Sequence, residues 1–324
     1  MDRQIVRHPA SGRAHRARAT IAGPWPSGRR ARWGCTLAVP LALTACLAAP
    51  ATLPPARPEL AAASALPPSV APEVAPTSAP PAGSGELWIP AIGLVWQWQL
   101  SEGTIDLDVE AQVYDVDLFD TPRETVAALH ARGRKVICYL SAGSWEDWRP
   151  DAGAFPPEVI GRAYAGWPGE RWLDIRQIDR LAPILTARLE LCRDKGFDAV
   201  EPDNLDGYDT DTGFAITFED QLAFNRWLAS QAHALGLSIG LKNDPEQAAD
   251  LVADFDWALT EDCFDQGWCS SMLPFLEAGK PVFAAEYTDT GVDFEAACEA
   301  LGPAGFSLIL KDRELSAWRQ TCPP

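Results

Sequence analysis

Acidic and amide side chains repeatedly follow short apolar runs from about residue 94 of this 324-residue sequence. Aspartate and glutamate are uncommon inside strands, so their recurrence directly after apolar runs needs a specific reason. Two carboxyl groups at one site, one protonated and one ionised, can cleave a glycosidic bond. An ordinary solvated loop acid is the competing interpretation at each position. The candidate residues at the ends of these runs are Trp98, Asp115, Asp117, Tyr139, Ser141, Glu201, Asp203, Asn204, Lys242, Asn243, Glu261, Asp262, Glu286, Tyr287, Lys311 and Asp312.

Other catalytic chemistries find little support in the sequence. Only His130 and His233 follow the N-terminal region, and both lie in amphipathic stretches with a helical pattern. This leaves no partner for a Ser-His-Asp triad and no histidine-rich metal site. No glycine-rich phosphate-binding loop follows the first apolar run. We therefore expect carboxylate chemistry with no cofactor and no metal.

The elements that must position these residues alternate along the chain. Eight apolar runs predict strands: Leu94–Gln99, Gln112–Asp117, Lys135–Ser141, Phe197–Asp203, Ser238–Lys242, Trp257–Glu261, Pro281–Glu286 and Phe306–Leu310. Amphipathic stretches between them predict helices: Thr121–Arg132, Ile178–Lys195, Thr217–Leu235, Pro245–Phe255, Ser270–Ala278 and Asp293–Leu301. Trp172–Arg176 fits as an extra segment after the third strand. This alternation predicts an α/β fold, a (β/α)₈ TIM barrel, with a doubly wound open sheet as the competing fold. In a barrel, the carboxyl ends of the strands surround one mouth, which would gather the candidate residues.

The N-terminal part of the chain has a different composition. Residues 1–45 carry eight arginines and one acidic residue, and an apolar stretch too short to span a membrane ends in Leu43-Thr44-Ala45-Cys46. This run resembles the lipobox of bacterial lipoproteins, so residues 1–46 are predicted to be a lipoprotein signal peptide with Cys46 lipidated. A chance cysteine in an alanine-rich stretch is the competing interpretation. The protein would then be exported and lipid-anchored at the cell envelope or cell surface, with no other membrane contact.

The remaining sequence divides into a linker and a domain. Residues 47–86 are rich in proline and alanine and have almost no large apolar side chain, which predicts a disordered linker. Residues 87–324 then form the TIM-barrel domain. Six cysteines follow Cys46, and an even count in an exported chain predicts disulfides. Many pairings are possible; we favour Cys263–Cys269, Cys298–Cys322 and Cys138–Cys192.

The charge of the chain narrows its partners. After residue 45 the sequence has 19 basic and 44 acidic residues, a net charge of −25. Nucleic acid and anionic membranes are therefore poor partners, and a cationic substrate is favoured. An acidic surface also serves solubility, which is the competing interpretation of this charge. We expect a monomer.

One stretch of sequence resembles a known family. The run FDAVEPDNLDGY, residues 197–208, is similar to glycoside hydrolase family 114, the endo-α-1,4-polygalactosaminidase family. The similarity continues in order through WQWQL (96–100), CYLSAGSW (138–145), WLDIR (172–176), GLKN (240–243), EDCF (261–264) and KPVFAAEY (280–287). The resemblance implies a (β/α)₈ barrel that cleaves within galactosamine-containing polysaccharide, with Asp203 and Glu261 as the catalytic pair. Thr260 departs from the asparagine that the family often has before that glutamate.

The predicted roles follow from these two lines of argument. Asp203 is predicted to be the nucleophile or base and Glu261 the acid, although the reverse assignment and both stereochemical outcomes stay open. Glu286 is the reserve candidate for the acid. The substrate would be a polysaccharide, expected to be a cationic galactosamine polymer. The alternative function is a catalytically silent barrel that binds polysaccharide in the cell envelope. Predicted substrate contacts, each with a structural role as the competing interpretation, are Trp98, Tyr139, Asp174, Asn204, Asp206, Lys242, Asn243, Glu286 and Tyr287.

Overall fold

A computed structural model describes residues 87–101 and 103–323 of the chain. The predicted signal peptide, Cys46 and the linker lie outside the described residues. Within the described part, no helix combines the length and the apolar character needed to cross a membrane.

Twelve strands and six α-helices form in the described part. The strands are β1 (Trp96–Gln99), β2 (Val113–Asp117), β3 (Lys135–Ser141), β4 (Ser144–Glu146), β5 (Ile160–Ala163), β6 (Glu170–Leu173), β7 (Ala199–Asp203), β8 (Ser238–Lys242), β9 (Trp257–Glu261), β10 (Val282–Tyr287), β11 (Phe306–Lys311) and β12 (Gln320–Thr321). The helices are α1 (Arg123–Ala131), α2 (Ile178–Lys195), α3 (Phe218–Ala234), α4 (Ala248–Leu251), α5 (Leu273–Glu277) and α6 (Phe294–Leu301).

Eight of these strands make the parallel sheet that the sequence predicts. The sheet order is β1-β2-β3-β7-β8-β9-β10-β11, with every ladder parallel, and β12 adds an antiparallel edge on β11. Sequential order and parallel pairing are the topology of a (β/α)₈ barrel and exclude a doubly wound sheet, whose strand order reverses. The predicted fold is therefore confirmed.

The strands are buried on both faces, as parallel strands usually are. One apolar cluster packs the outer face of the sheet against the helices, and a second fills the inside of the barrel. Gly240 makes room for the inner cluster, because a Cβ at this position would lie 2.4 Å from the Trp257 ring. This layered filling makes the barrel a solid support, on which side chains at the strand ends are held in place.

The C-terminal segment, residues 312–321, fills the seam between β11 and β1. Gln97 donates from Nε2 to the Ala317 carbonyl over 2.7 Å, and Arg319 donates to the carbonyl of Trp96. The buried Lys311 ammonium donates to the carbonyls of Ser316 and Trp318, each over 2.6 Å. The disulfide Cys298–Cys322 ties the end of this segment to α6.

The connection after β3 carries the extra segment that the sequence predicts. It forms a small antiparallel sheet of order β4-β6-β5, joined to the barrel by a hydrogen bond from the Leu173 amide to the Gly143 carbonyl (2.9 Å). Buried Arg188 of α2 anchors the connection, since it donates to the Ser141 carbonyl and pairs with Asp151. The small sheet therefore has a fixed position at the end of β3.

Two predicted helices are much longer than the observed ones, whereas the bounds of the other four agree to within two residues at each end. The stretch predicted as Pro245–Phe255 is helical only at Ala248–Leu251, and the stretch Ser270–Ala278 splits into a 3₁₀ turn at Cys269–Met272 followed by α5. All three favoured disulfides are present: Cys138–Cys192, Cys263–Cys269 and Cys298–Cys322.

Candidate active site

Three neighbouring strands end in the same sharp backbone turn. The residue directly after β7, β8 and β9 has a left-handed φ: 64° at Asn204, 52° at Asn243 and 54° at Asp262. Asparagine and aspartate tolerate this conformation better than most residues, but it still stores some strain. Such outliers cluster at functional sites, and here they turn the chain away so that the last side chain of each strand faces the mouth.

The Lys242 ammonium lies at the centre of the mouth. It is 2.8 Å from Glu201 Oε1, 3.1 Å from Asp203 Oδ1 and 3.2 Å from Glu261 Oε2. The side chain is only 2% exposed, and its charge lies 4.8 Å from the centre of the Trp98 ring. Burial alone would lower the pKa of Lys242, but the charges of the three carboxylates outweigh it and raise the pKa well above its usual value. The lysine is therefore a permanent cation that joins the ends of β7, β8 and β9.

Asp203 stands at the edge of solvent with both oxygens oriented. Oδ2 accepts a hydrogen bond from the Tyr139 hydroxyl over 2.9 Å. Oδ1 accepts from the Lys242 ammonium and, over 2.9 Å, from the Asn204 amide. The side chain is 20% exposed, so it is fixed by donors beneath it and reachable from above.

Glu261 faces Asp203 across the Lys242 ammonium. Oε1 accepts from the Tyr287 hydroxyl, and Oε2 accepts from Lys242 and from Asn243 Nδ2 over 3.3 Å. The Asn243 side chain also accepts the Glu261 backbone amide over 2.9 Å, so it clamps the residue at two points. Arg313 stacks 3.6 Å above the Tyr287 ring. Glu261 is 27% exposed, which leaves it open to a ligand.

Two further carboxyl groups lie beneath Lys242. Glu201 and Asp115 are both fully buried, and their carboxyl groups face each other within hydrogen-bonding reach. Burial, and then the charge of Glu201, raises the pKa of Asp115 well above its usual value. Burial also raises the pKa of Glu201, against the opposing effect of Lys242. These two residues stand among the strand-end acids of the sequence but had no predicted role.

Other acids with raised pKa values surround the mouth. Burial, and then the Asp203 charge, raises the pKa of Asp206 to about 6. Asp244 accepts hydrogen bonds from Tyr208 and Asn225, and burial followed by the Asp206 charge raises its pKa to about 8. The mouth is thus rich in carboxyl groups whose charge changes near neutral pH.

Glu170 of β6 reaches the site from the small sheet, and sequence reasoning missed it. Burial raises its pKa to about 7, although Ser144 and Asn204 both donate to its carboxylate. Asn204 also donates to Ser141 Oγ over 2.9 Å, so its amide ties the small sheet to the end of β7. Tyr164 was missed as well. Burial and then the Asp203 and Asp206 charges raise the pKa of its phenol, and its ring lies 4.7 Å from the ring of Trp172 in β6.

The structure brings most predicted site residues together but not all of them. Tyr139, Asn243 and Tyr287 contact the candidate pair directly, and Lys242 joins it. Trp98 is 1% exposed and packs beneath Lys242, so its ring is not open to a sugar.

Asp174 and Glu286 form their hydrogen bonds with residues other than Lys242 and the candidate pair. Both oxygens of Asp174 accept from Arg176, and one also accepts from Gln177 at the start of α2. Glu286 is fully buried and accepts the backbone amides of Phe264 and Asp265, over 2.8 and 3.1 Å. Because it alternates with Tyr287 along β10, it points to the other face of the strand. Each of these two residues has a structural role that accounts for its position.

One group of possible metal ligands occurs in the described part of the chain: Cys263, Cys269 and Glu286. The two cysteines form a disulfide, so neither can supply a thiolate. The expectation that the reaction uses no metal stays a prediction.

The arrangement can perform carboxylate chemistry on a bound ligand. Two partly exposed carboxyl groups flank one buried cation at the carboxyl end of a parallel barrel, where barrel enzymes place their active sites.

Solved structures share this architecture. Ega3 of Aspergillus fumigatus, crystallised as a complex with galactosamine, is 39% identical, with a TM-score of 0.69 and coverage of 74% of this chain and 99% of that one. The glycoside hydrolase domain of PelA from Pseudomonas aeruginosa is 17% identical, with a TM-score of 0.56 and coverage of 71% and 99%, and shares the fold.

Fold and site together define a (β/α)₈ glycosidase. Residues 77–324 match the model of Glycoside-hydrolase family GH114. This range includes ten residues of the predicted linker. The chain therefore belongs to glycoside hydrolase family GH114. An uncharacterized protein of Deinococcus radiodurans is 26% identical over 225 residues, which are 62% of this chain and 71% of that protein.

Proposed function

We propose that the protein is an endo-acting glycosidase that cleaves α-1,4-galactosaminidic bonds in galactosamine-containing polysaccharide. Family membership supports the reaction class, and the galactosamine complex of Ega3, at 39% identity, supports the sugar. The observation that carries the proposal is the pair of partly exposed carboxyl groups, Asp203 and Glu261, held on opposite sides of the Lys242 ammonium.

In this proposal Asp203 is the nucleophile and Glu261 the acid. The nearest oxygens of the two groups cannot be farther apart than the sum of their distances to the shared ammonium, 6.3 Å. Retaining glycosidases separate their carboxyl groups by about 5–5.5 Å and inverting ones by about 6.5–9.5 Å. This ceiling on the nearest oxygens lies just below the inverting range, so we propose retention, in which Asp203 attacks the anomeric carbon while Glu261 protonates the leaving oxygen. Glu261 then takes a proton from the water that releases the product.

Product analysis tests the proposal. The protein lacking residues 1–86, incubated with purified galactosamine polymer, is expected to release oligosaccharides of several lengths from the start, because an endo-acting enzyme cuts within the chain. The first reducing ends, observed by NMR before mutarotation, are expected to be α-anomers. A lack of new reducing ends would reject the activity, and β-anomers would reject retention alone.

The charge around the mouth supports a cationic polymer as substrate. The chain after residue 45 has a net charge of −25, and acids such as Asp206 and Glu170 lie beside the candidate pair. An ammonium group on a deacetylated sugar would be attracted to this surface. Its positive charge would in turn favour the ionised form of these acids.

We also propose that the enzyme is exported and anchored through a lipid on Cys46. The Leu43–Cys46 run supports the anchor, and three disulfides in the described part of the chain suit an oxidising compartment. Metabolic labelling with an alkyne fatty acid is expected to mark the wild type. Equal labelling of Cys46→Ala would reject the anchor.

A further inference from the structure

The buried residues Asp115 and Glu201 have no role in the proposed reaction, which uses Asp203 and Glu261. Both side chains are fully buried, and Asp115 lies on β2 while Glu201 lies on β7, with β3 between them. Ionised carboxyl groups are costly to bury without partners. No N–H or O–H group in the described part of the chain donates to either oxygen of Asp115, or to Oε2 of Glu201. The Glu201 carboxyl group is the side chain within hydrogen-bonding reach of Asp115.

A hydrogen bond between two carboxyl groups requires a proton. Ionised carboxylates accept hydrogen bonds only, so one member of the pair must be protonated. Glu201 Oε1 lies 2.8 Å from the Lys242 ammonium, which stabilises the ionised form of Glu201. The proton therefore belongs to Asp115, which can donate it to Glu201.

The pair acts on the candidate catalytic residues through one atom. Lys242 Nζ contacts Glu201 on its buried side and Asp203 and Glu261 on the side that faces the mouth. The charged groups that act on Asp115 are Glu201 and Asp203 from β7 and Lys242 from β8. If Asp115 lost its proton, a second buried negative charge would lie beneath the ammonium and draw it away from the mouth.

We propose that Asp115 and Glu201 form a positioning pair that shares one proton, with Asp115 as the protonated member, and that this pair holds the Lys242 ammonium between Asp203 and Glu261. Neither residue touches the substrate. The consequence for activity rests on the proposed function, whereas the position of the proton does not.

Infrared spectroscopy tests the proton without any substrate. A protonated carboxyl group has a carbonyl stretching band separate from those of carboxylates. At about pH 9, Asp244, with a pKa of about 8, and Glu170, with a pKa of about 7, are mostly ionised. The wild type is expected to keep one such band at this pH, and Asp115→Asn is expected to lose it. The same band in both proteins, or no band in the wild type, would overturn the proposal.

Two substitutions at one position test the positioning. Asp115→Asn keeps the size of the side chain and an N–H donor for Glu201, so kcat is expected to stay within about threefold of the wild type. Asp115→Ala removes the donor, and kcat is expected to fall by about tenfold or more, since small displacements of reacting groups can cost up to about 100-fold. Equal losses in both variants, with melting curves that show both folded, would overturn the proton-donor role. Wild-type kcat in Asp115→Ala would overturn the positioning.

Glu201→Gln gives a readout that a merely structural residue would not move. Glu201 Oε1 and Glu261 Oε2 lie at most 6.0 Å apart, the sum of their distances to Lys242. Removing the Glu201 charge leaves more of the Lys242 charge unbalanced at the mouth, which favours the ionised form of a neighbouring carboxyl group. The alkaline limb of kcat is therefore expected to move to lower pH by about one unit. An unmoved limb would count against the pair. If the wild type were inactive on the polymer, the proposed function would fail, and the infrared band would still decide where the proton lies.

Discussion

Replacing Lys242 with methionine should destabilise the whole domain, because the lysine neutralises a fully buried carboxylate. Glu201 is 0% exposed, and Lys242 is 2% exposed and 2.8 Å away. Breaking a buried ion pair by removing one partner typically costs about 3–5 kcal/mol. For a domain of this size, each kcal/mol lowers the melting temperature by about 2–4 °C, so Lys242→Met should melt about 6–20 °C below the wild type.

The loss should depend on pH with a defined sign. The pKa of Lys242 is raised in the folded state, so its contribution is fully present below the usual lysine pKa and is lost only above it. In the variant, Glu201 loses its counter-charge, and its raised pKa means that the folded state binds a proton the unfolded chain has released. Stability of the variant should therefore fall more steeply than that of the wild type as pH rises from about 5 to 8. Both proteins lose some stability over this range, because Asp206, Glu170 and Asp244 have pKa values raised to about 6, 7 and 8 in the folded state.

Circular dichroism melting curves at about pH 5 and pH 8 measure both effects. The matched control is the double variant Lys242→Met with Glu201→Gln, which removes both charges. It should recover much of the lost stability, because no uncompensated charge remains. Melting of Lys242→Met within about 2 °C of the wild type at pH 8, or a double variant that loses the sum of both single effects, would refute this electrostatic reasoning.

Three further predictions concern other parts of the molecule. Replacing Cys298 and Cys322 with serine should remove about 3 kcal/mol of stability, because the disulfide closes a loop with a sequence separation of 24 residues; thermal melting checks this, and activity at room temperature should remain. Glu286→Gln should lower the melting temperature by weakening the hydrogen bonds to Phe264 and Asp265, while it lowers kcat far less than Glu261→Gln does; equal losses of kcat would instead support Glu286 as the acid. Partly deacetylated polymer should be cleaved with a higher kcat/KM than fully acetylated polymer, and salt should narrow the gap, since charges are screened beyond about 8 Å at physiological ionic strength. Faster cleavage of the neutral polymer at low salt would contradict this.

The strands of the barrel were predictable because each one is a short apolar run buried on both faces. Lys135–Ser141, Ser238–Lys242 and Trp257–Glu261 have the same bounds in sequence and structure. The helix predicted as Pro245–Phe255 was too long, because its amphipathic pattern does not reveal that residues 245–247 and 252–254 form turns. Local backbone turns of this kind override helical periodicity.

The site was predictable in its members but less so in its geometry. Lys242 and Asn243 could be placed at the mouth because they end a strand, and so could Tyr287. Glu286 was taken for a strand end, but β10 runs one residue further, and alternation then sends Glu286 to the opposite face. No sequence pattern indicates that the Lys242 ammonium lies within 3.2 Å of three carboxyl groups, because those contacts depend on the packing of three strands.

The most direct test of the catalytic pair is the kcat of Asp203→Asn and Glu261→Gln on galactosamine polymer, with folding checked by melting curves. Each substitution keeps the size of the side chain but removes the nucleophilic oxygen or the transferable proton. Acid–base assistance alone is typically worth about 10²–10⁴-fold, so each variant should lose at least about 100-fold in kcat while it still binds the polymer. The double variant should lose much less than the product of the two, because the residues act as a unit. If either folded variant retained more than about a tenth of wild-type kcat, the assignment of Asp203 and Glu261 would be wrong.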